Sequence, residues 1–591
     1  MLTAYRLAGD DLASVAADGG ANGALDRLLA AAHSSRLILL RAVLDQASAD
    51  PDTAGPLPDP ARAWRLLAAA EARNRATVRK LLDHPEIGIW AAYTLRRLNT
   101  GLSHDAPVWV DTGHLHTIAA TAAILTGLPC RTSVPLRDGQ VVLPTLGLAT
   151  FPTGERWQVA ELISGPTATH LHAGSTTVRL PADPTRNGPG WQPMHRLRLG
   201  ELAVWLDDLD PYRGFFRPLR PEPLTATDRA EWTTLLSRSW SLLVRDHPIE
   251  AARLRDTMTV VVPAGRPRQR FRPWSSSCAD GVGAAAVTLP DSPAVLASML
   301  VHEHRHNLLN ALLDLVPLHE DDWAERYYAP WRDDPRPIGG LLHGCYSFMG
   351  VADFWRTHRT TAPAAESAAA EFEFALRHHQ IQAALHTLTT SDQLTEPGRR
   401  FVAELRTVVA GWQADADTVA GPVAALARRA AADHRATWRL RHLRPRQAVV
   451  DGLARSWQRG DPPGPWRAAE PTVYPDRADP NEPRTRTHLT QLRLSTNPSD
   501  VDDQIPATSA ADLLLVNGNP LAAAPAYRSA IAREPADVSP WIGLGLALTE
   551  LGDPAGDTLL DRPEVVHALH RRLADPSATP PDAEAVARWL S

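Results

Sequence analysis

His302-Glu303-His304-Arg305-His306 reads H-E-x-x-H, two histidines four residues apart with a glutamate beside the first. On an α-helix, positions i and i+4 share a face, so both imidazoles can bind one metal ion. A helix is expected here. Asp291-Ser292-Pro293 reads as an N-cap followed by proline in the first turn. The apolar run Ala294 to Val301 leads into the motif, and Leu308, Leu309, Leu312, Leu313 and Leu315 continue it. Such a helix is mostly buried, and a buried histidine pair needs a physical reason. Glu303 is the candidate catalytic residue, because a glutamate in this place handles protons at the metal.

Two ligands do not complete a site. The metzincin continuation H-x-x-G-x-x-H is excluded, since Leu309 and Leu312 occupy its places. A gluzincin would take a glutamate from a later helix. Glu320, Glu325 and Glu366 follow, but none stands in an N-E-x-x-x-D context. Glu303 and His304 lie off the face shared by His302 and His306. The preferred third ligand is His343, a lone histidine in Ile338-Gly339-Gly340-Leu341-Leu342-His343-Gly344, with Asp314, His319 and Asp321 as rivals. Three nitrogen ligands, or two plus a carboxylate, suit zinc and iron(II) alike, so ligand type does not choose between hydrolysis and oxygen chemistry.

Two flanking segments carry candidate binding groups. Tyr327 to Pro337 holds aromatics, rigid prolines, Arg332 and Arg336. Arginine clamps a carboxylate in a bidentate fork, whereas the interleaved Asp333 and Asp334 fit a surface loop of Arg–Asp pairs. Before the motif helix, Arg272 to Gly281 contains Ser275, Ser276, Ser277 and Cys278, which read either as the lining of a polar pocket or as a plain loop. Ser275, Ser277 and Trp331 are the candidates to face a substrate.

These residues must be positioned by a long chain. Its 591 residues allow two to four domains. The expected class is α+β, mainly helical, with the metal site on a buried HExxH helix. Residues 1–106 read as helical, with a proline-rich break at Pro51–Pro60. Residues 107–283 read as mixed α/β, with strands expected at Val108-Trp109-Val110, Val141 to Leu143, Thr176 to Leu180 and Thr257 to Val262, and a helix over Arg229 to His247. Residues 284–450 form the expected metal-binding helical core, and 451–505 a Pro- and Arg-rich linker. Residues 506–591 resemble a tetratricopeptide helix pair in a single copy, which more naturally docks on the main body than stands alone.

Composition excludes several functions. Net charge is −6 at pH 7, so no broad attraction to nucleic acid or membrane is expected. Lys80 is the only lysine, which removes P-loop, Schiff-base and pyridoxal chemistry. Cys130, Cys278 and Cys345 are far apart and match no iron–sulfur or zinc-ribbon spacing. Met1 to Arg6 lacks a signal peptide's apolar segment, and no apolar run reaches eighteen residues. A soluble, cytoplasmic protein is expected.

Taken together, these pieces resemble the HExxH-motif family associated with ribosomally made peptide natural products, a family of 2-oxoglutarate-dependent peptide β-hydroxylases. The resemblance rests on Leu81 to Trp90, Trp205 to Arg213, Ser275 to Ser277, Leu300 to His306 with Ala311 to Leu315, Tyr328 to Pro337, and Gly339 to Arg356. It spans roughly residues 7 to 450; the fused radical-SAM half found in some members is absent. It implies iron(II), 2-oxoglutarate and dioxygen, and a precursor peptide as substrate, hydroxylated at a β-carbon. Its motif histidines map onto His302 and His306, with Arg332 or Arg336 pairing the far carboxylate of 2-oxoglutarate. The alternatives are a zinc metallopeptidase with Glu303 as general base, and a non-catalytic peptide-binding scaffold.

Overall fold

The computed structural model describes the chain apart from residues 1–6, 8, 19, 21–22, 102–104, 153, 267–272, 476–484, 496–508 and 575–580. The fold is α+β and mainly helical, and it divides into two compact units, Met1–Val316 and Pro317–Ser591. Among the described residues, no helix is long and apolar enough to cross a membrane.

The first unit opens with helices, chiefly Ala24–Ala49, Pro60–Arg73, Pro85–Thr100 and His114–Thr126. Proline at N1 starts two of them, where its missing N–H costs nothing. A seven-stranded sheet follows, built from antiparallel pairs such as Cys130–Arg137 with Trp157–Ser164. A second, five-stranded sheet lies nearer the motif in sequence. In it, Val260–Pro263 runs parallel to both Leu202–Leu206 and Ala284–Val287. The crossover into Val260–Pro263 is made by helices Ala226–Asp246 and Pro248–Thr257, the long connection that parallel strands require. Ala284–Val287 is buried along its whole length and leads into the motif helix Pro293–Leu313.

Two expected strands come out differently. Val108-Trp109-Val110 is the start of a short helix, Val108–Thr112, between Pro107 and Gly113. A three-residue β-branched and aromatic run carries no periodicity of its own, and here Trp109 is seated against Gly55, where a Cβ would come within 2.4 Å of its ring. Thr257 ends a helix instead of opening a strand, its hydroxyl donating to the Arg253 carbonyl at 2.8 Å; the strand starts at Val260. Asp111, fully buried on the short helix, accepts from Arg97, from Arg137 at 2.8 Å and from the Tyr212 hydroxyl at 2.7 Å. This hub ties the helical layer to the loop after Leu202–Leu206.

The second unit consists of helices, with one small two-stranded pairing. Long helices Ile338–Thr361, Ala364–Thr390 and Gly421–His442 make its body. The division after Val316 separates the motif helix from these, whereas the sequence groups 284–450 as one core. The reason is packing: the motif helix rests on helices and strands that precede it. Inside the expected linker stands a helix, Thr485–Ser495. Its Arg486 is buried and pairs with Asp433 at 2.6 Å and Asp512 at 2.8 Å, which gives a polar segment a reason to fold. The tail carries more than a helix pair: Ala510–Val516, Pro520–Arg533, Val538–Glu550, Pro554–Asp561, Pro563–Leu573 and Ala583–Leu590 share one apolar core with Ala436, Leu440 and Leu453 of the body.

Beside the Asp111 hub, His114 is buried between Trp90 and Tyr212. Burial, and then Arg137, push its pKa down to about 3. The unfolded chain takes up this proton below about pH 6.5, and the folded chain does not until near pH 3. Stability is therefore whole above pH 6.5 and is withdrawn as pH falls, by ~2 kcal/mol at pH 5. In thermal scans, His114→Gln should lose less melting temperature between pH 7 and pH 5 than the unsubstituted protein; an equal loss would show that other groups carry the acid dependence.

Candidate metal centre

The motif helix is buried on nearly every side. Its partly exposed positions, Val295, His302, His306, Asn310 and Leu313, form one stripe at helical spacing. Both motif histidines lie on that stripe. Their Nε2 atoms face each other at 3.1 Å, with ring centroids 4.7 Å apart and planes at 81°. The sequence places a proline-started helix here and the fold has one, although the Ser292 side chain itself makes no capping bond.

The buried side of the helix carries polar groups, each of which meets a partner from the preceding elements. Glu303 is 1% exposed, with Oε1 3.9 Å from His302 Nε2. Burial pushes its pKa up to about 7, and hydrogen bonds from Ser275 and Ser277 oppose that rise. Both serines, expected as substrate contacts, are thus partners of Glu303. Ser275 belongs to a two-residue strand that pairs antiparallel with Ala284–Val287, and this pairing aims the serine segment at the helix. His304 is fully buried, its Nδ1 2.8 Å from Thr257 Oγ1. That hydroxyl donates to the Arg253 carbonyl, so it accepts from Nδ1–H and sets the ring's tautomer. Burial lowers the His304 pKa to about 4. Arg305 pairs with Glu250 at 3.3 Å, and Asn307 donates to the Ala284 carbonyl at 3.1 Å. Burial tends to raise the Glu250 pKa, but Arg305, His304 and Arg253 hold it below the usual range.

Nothing in the sequence singles out Glu250 or Thr257. They stand on helix Pro248–Thr257, nearly fifty residues before the motif, and only the crossover brings them under it. A second group also escapes the motif search. His84, Glu86 and Asp207 are buried, and one donor atom of each lies within 4.8 Å of the others. The available signal is charge in apolar company: His84-Pro85-Glu86 opens a buried helix, and Asp207 follows the strand Leu202–Leu206.

The remaining candidates, Asp314 apart, belong to the second unit. His343 is half-buried on helix Ile338–Thr361, and burial, His319 and Arg336 together lower its pKa to about 4. Glycines let neighbours approach this helix closely. A Cβ at Gly339 would stand 2.6 Å from His319 Nε2, at Gly340 3.0 Å from Arg336 Nε, and at Gly344 2.3 Å from the Trp331 ring. Trp331 stacks on Phe348 at 4.9 Å, so this expected substrate residue has one face against its own unit. Arg332 grips Asp334 with two hydrogen bonds, at 2.7 and 3.3 Å, and Arg336 shares the same carboxylate at 3.3 Å. The Arg–Asp pairing expected of a surface loop is therefore present. Arg336 differs in one respect: its buried Nε has no hydrogen-bond partner. Among the other rivals, Asp314 follows the motif helix and Asp321 accepts from Trp323 Nε1 at 2.5 Å.

No protein-family model matches this chain, and no curated protein is significantly similar to it.

The supports of the motif helix are testable without activity. Glu250→Ala breaks the buried pair with Arg305 and should cost ~3 kcal/mol in urea unfolding, while Glu250→Gln, which can still accept a hydrogen bond, should cost less. Equal and small costs for both would place the pair outside the interactions that hold the helix.

Proposed function

We propose that the chain is an iron(II)- and 2-oxoglutarate-dependent oxygenase that hydroxylates a β-carbon in a ribosomally made precursor peptide. The reading rests on the resemblance of the sequence to that family. The observation that carries it is the His302–His306 pair: two Nε2 atoms converge on the one accessible stripe of a buried helix. These residues fit a divalent ion, because opposed imidazole nitrogens at 3.1 Å gain a common partner when one is bound. His302 and His306 would hold it; His343 is the third ligand that the sequence alone suggests. Bound iron(II) with 2-oxoglutarate supplies the oxygen-activating chemistry, which converts the co-substrate to succinate and carbon dioxide.

The chain's own residues orient and insulate. His304, Arg305 and Asn307 lock the helix to the layers beneath it, so the two ligand imidazoles keep one facing. Glu303 is common to the oxygenase and hydrolase readings: its Oε1 lies 3.9 Å from His302 Nε2, within reach of a metal-bound water, and burial raises its pKa to about 7. Arg336 is our choice to pair the distal carboxylate of 2-oxoglutarate, since its buried Nε has donor capacity left and Arg332 is spent on Asp334.

The deciding experiment is anaerobic reconstitution with iron(II) and 2-oxoglutarate, then admission of oxygen with a precursor peptide encoded nearby. Succinate and a peptide heavier by one oxygen are expected. Peptide cleavage with zinc and no succinate would establish the metallopeptidase instead, and peptide binding without either product would establish a scaffold. His343→Ala should lower bound metal; unchanged metal content removes it from the ligand set. Arg336→Gln should raise the KM for 2-oxoglutarate by about 10- to 100-fold, the loss of a charged hydrogen bond, and Arg332→Gln should leave it near its starting value. The reverse order would transfer the role to Arg332.

A further inference from the structure

We propose that His84, Glu86 and Asp207 form a second metal site, for a divalent ion of the manganese-to-zinc series, which clamps the N-terminal helical layer to the five-stranded sheet. His84 and Glu86 flank Pro85 at the start of helix Pro85–Thr100, and Asp207 follows the strand Leu202–Leu206. All three side chains are at most 1% exposed. His84 Nδ1 is 2.6 Å from Glu86 Oε2, and a donor atom from each of the three residues lies within 4.8 Å of the others.

Buried polar atoms without partners point to a ligand. His84 Nε2, Glu86 Oε1 and Asp207 Oδ2 lack hydrogen-bond partners, while Glu86 Oε2 is met by His84 Nδ1. Asp207 Oδ1, by contrast, is fully used, accepting from the backbone N–H groups of Leu209 and Asp210 at 3.0 and 2.8 Å. Those bonds orient the carboxylate and leave Oδ2 over. Asp210 adds a further buried oxygen without a partner, Oδ2. Unmatched donors and acceptors at this depth are costly, and several carboxylates together need positive charge. Arg36 does not supply it directly, because its guanidinium donates to the carbonyls of Leu82 and Val282. A cation takes one donor atom from each of His84, Glu86 and Asp207 at once.

The donor set selects the ion. One imidazole nitrogen with carboxylate oxygens suits manganese(II), iron(II) or zinc; it lacks thiolate for soft ions and is not the all-oxygen shell of calcium or magnesium. The closed, buried setting gives the ion a structural role. The Asp207 N–H donates to the Val261 carbonyl at 3.0 Å, so a clamp at Asp207 acts on the strand Val260–Pro263. That strand pairs with Ala284–Val287, whose end launches the motif helix.

The test removes the other centre first, so that its outcome does not depend on the proposed oxygenase. The full chain carrying His302→Ala and His306→Ala is dialysed against each of manganese(II), iron(II) and zinc, freed of loose metal, and its metal content measured. About one tightly held equivalent per chain is expected. Adding Glu86→Gln and Asp207→Asn, which keep size and shape, should abolish it. Stripping with a chelator should lower the melting temperature of the parent double variant by about 4 °C or more and leave the quadruple variant unchanged. Because a substituted chain can misfold, the unsubstituted protein is also titrated with cobalt(II), where two separable absorption changes are expected. No retained metal in the double variant, with a single cobalt phase in the unsubstituted protein, would overturn the second site and leave a cluster held by shared protons.

Discussion

A helix that carries Glu303, His304, Arg305 and Asn307 into the interior can stay there only if each polar group finds a partner, and the first unit is arranged around that requirement. Ser275 and Ser277 meet Glu303, Thr257 meets His304, Glu250 meets Arg305, and the Ala284 carbonyl meets Asn307. The partners come from a helix, a strand and a strand-flanking segment that lie apart in the chain. The parallel pairing of Val260–Pro263 with Ala284–Val287 brings them under one helix. What remains uncovered is a narrow stripe, and His302 and His306 stand on it. The same interactions that solve the desolvation problem therefore fix which way the two motif imidazoles face.

The second unit shows a related economy with glycine. Gly339, Gly340 and Gly344 remove side chains from one region of helix Ile338–Thr361, and His319, Arg336 and Trp331 occupy the space released. His343 stands among them with its imidazole kept neutral. The segment Tyr328 to Pro337 is held to its own unit at several points. Tyr328 bonds His434 at 2.8 Å, His442 bonds the Asp333 carbonyl at 2.6 Å, and Gln380 donates to the Pro330 carbonyl at 2.8 Å. A loop rich in proline and arginine becomes a fixed surface by these bonds. Two of its arginines nonetheless compete for one carboxylate, that of Asp334, and this makes Arg332 and Arg336 unequal.

Much of the secondary structure was legible because it rests on local rules. The motif helix, the helix over Arg229 to His247 and the strand at Val141 to Leu143 follow from apolar spacing and from proline placement. The misread pieces are those where a distant partner overrides the local pattern. Val108 to Val110 turns helical against Gly55, and Thr485 to Ser495 folds inside a polar stretch because Arg486 reaches Asp433 and Asp512. Ser275 and Ser277 were visible as polar residues beside the motif, yet their partner, Glu303, was not. A polar side chain advertises that it needs a partner without naming it.

The sequence by itself determined the chemistry on offer: a histidine pair at one helical turn, a glutamate next to it, and, beyond the single Lys80, no lysine or clustered cysteine to support other reactions. Spacing along one helix is a local property, so H-E-x-x-H places two imidazoles on one face without any knowledge of the fold. Only the tertiary structure decided that Glu250 and Thr257 hold the motif helix, that the serines serve Glu303, and that His84, Glu86 and Asp207 meet in the interior. These contacts join residues tens to more than a hundred positions apart. They exist because burying a charge or an imidazole is affordable only beside a matching group, and the chain's crossings alone determine which groups come to lie side by side.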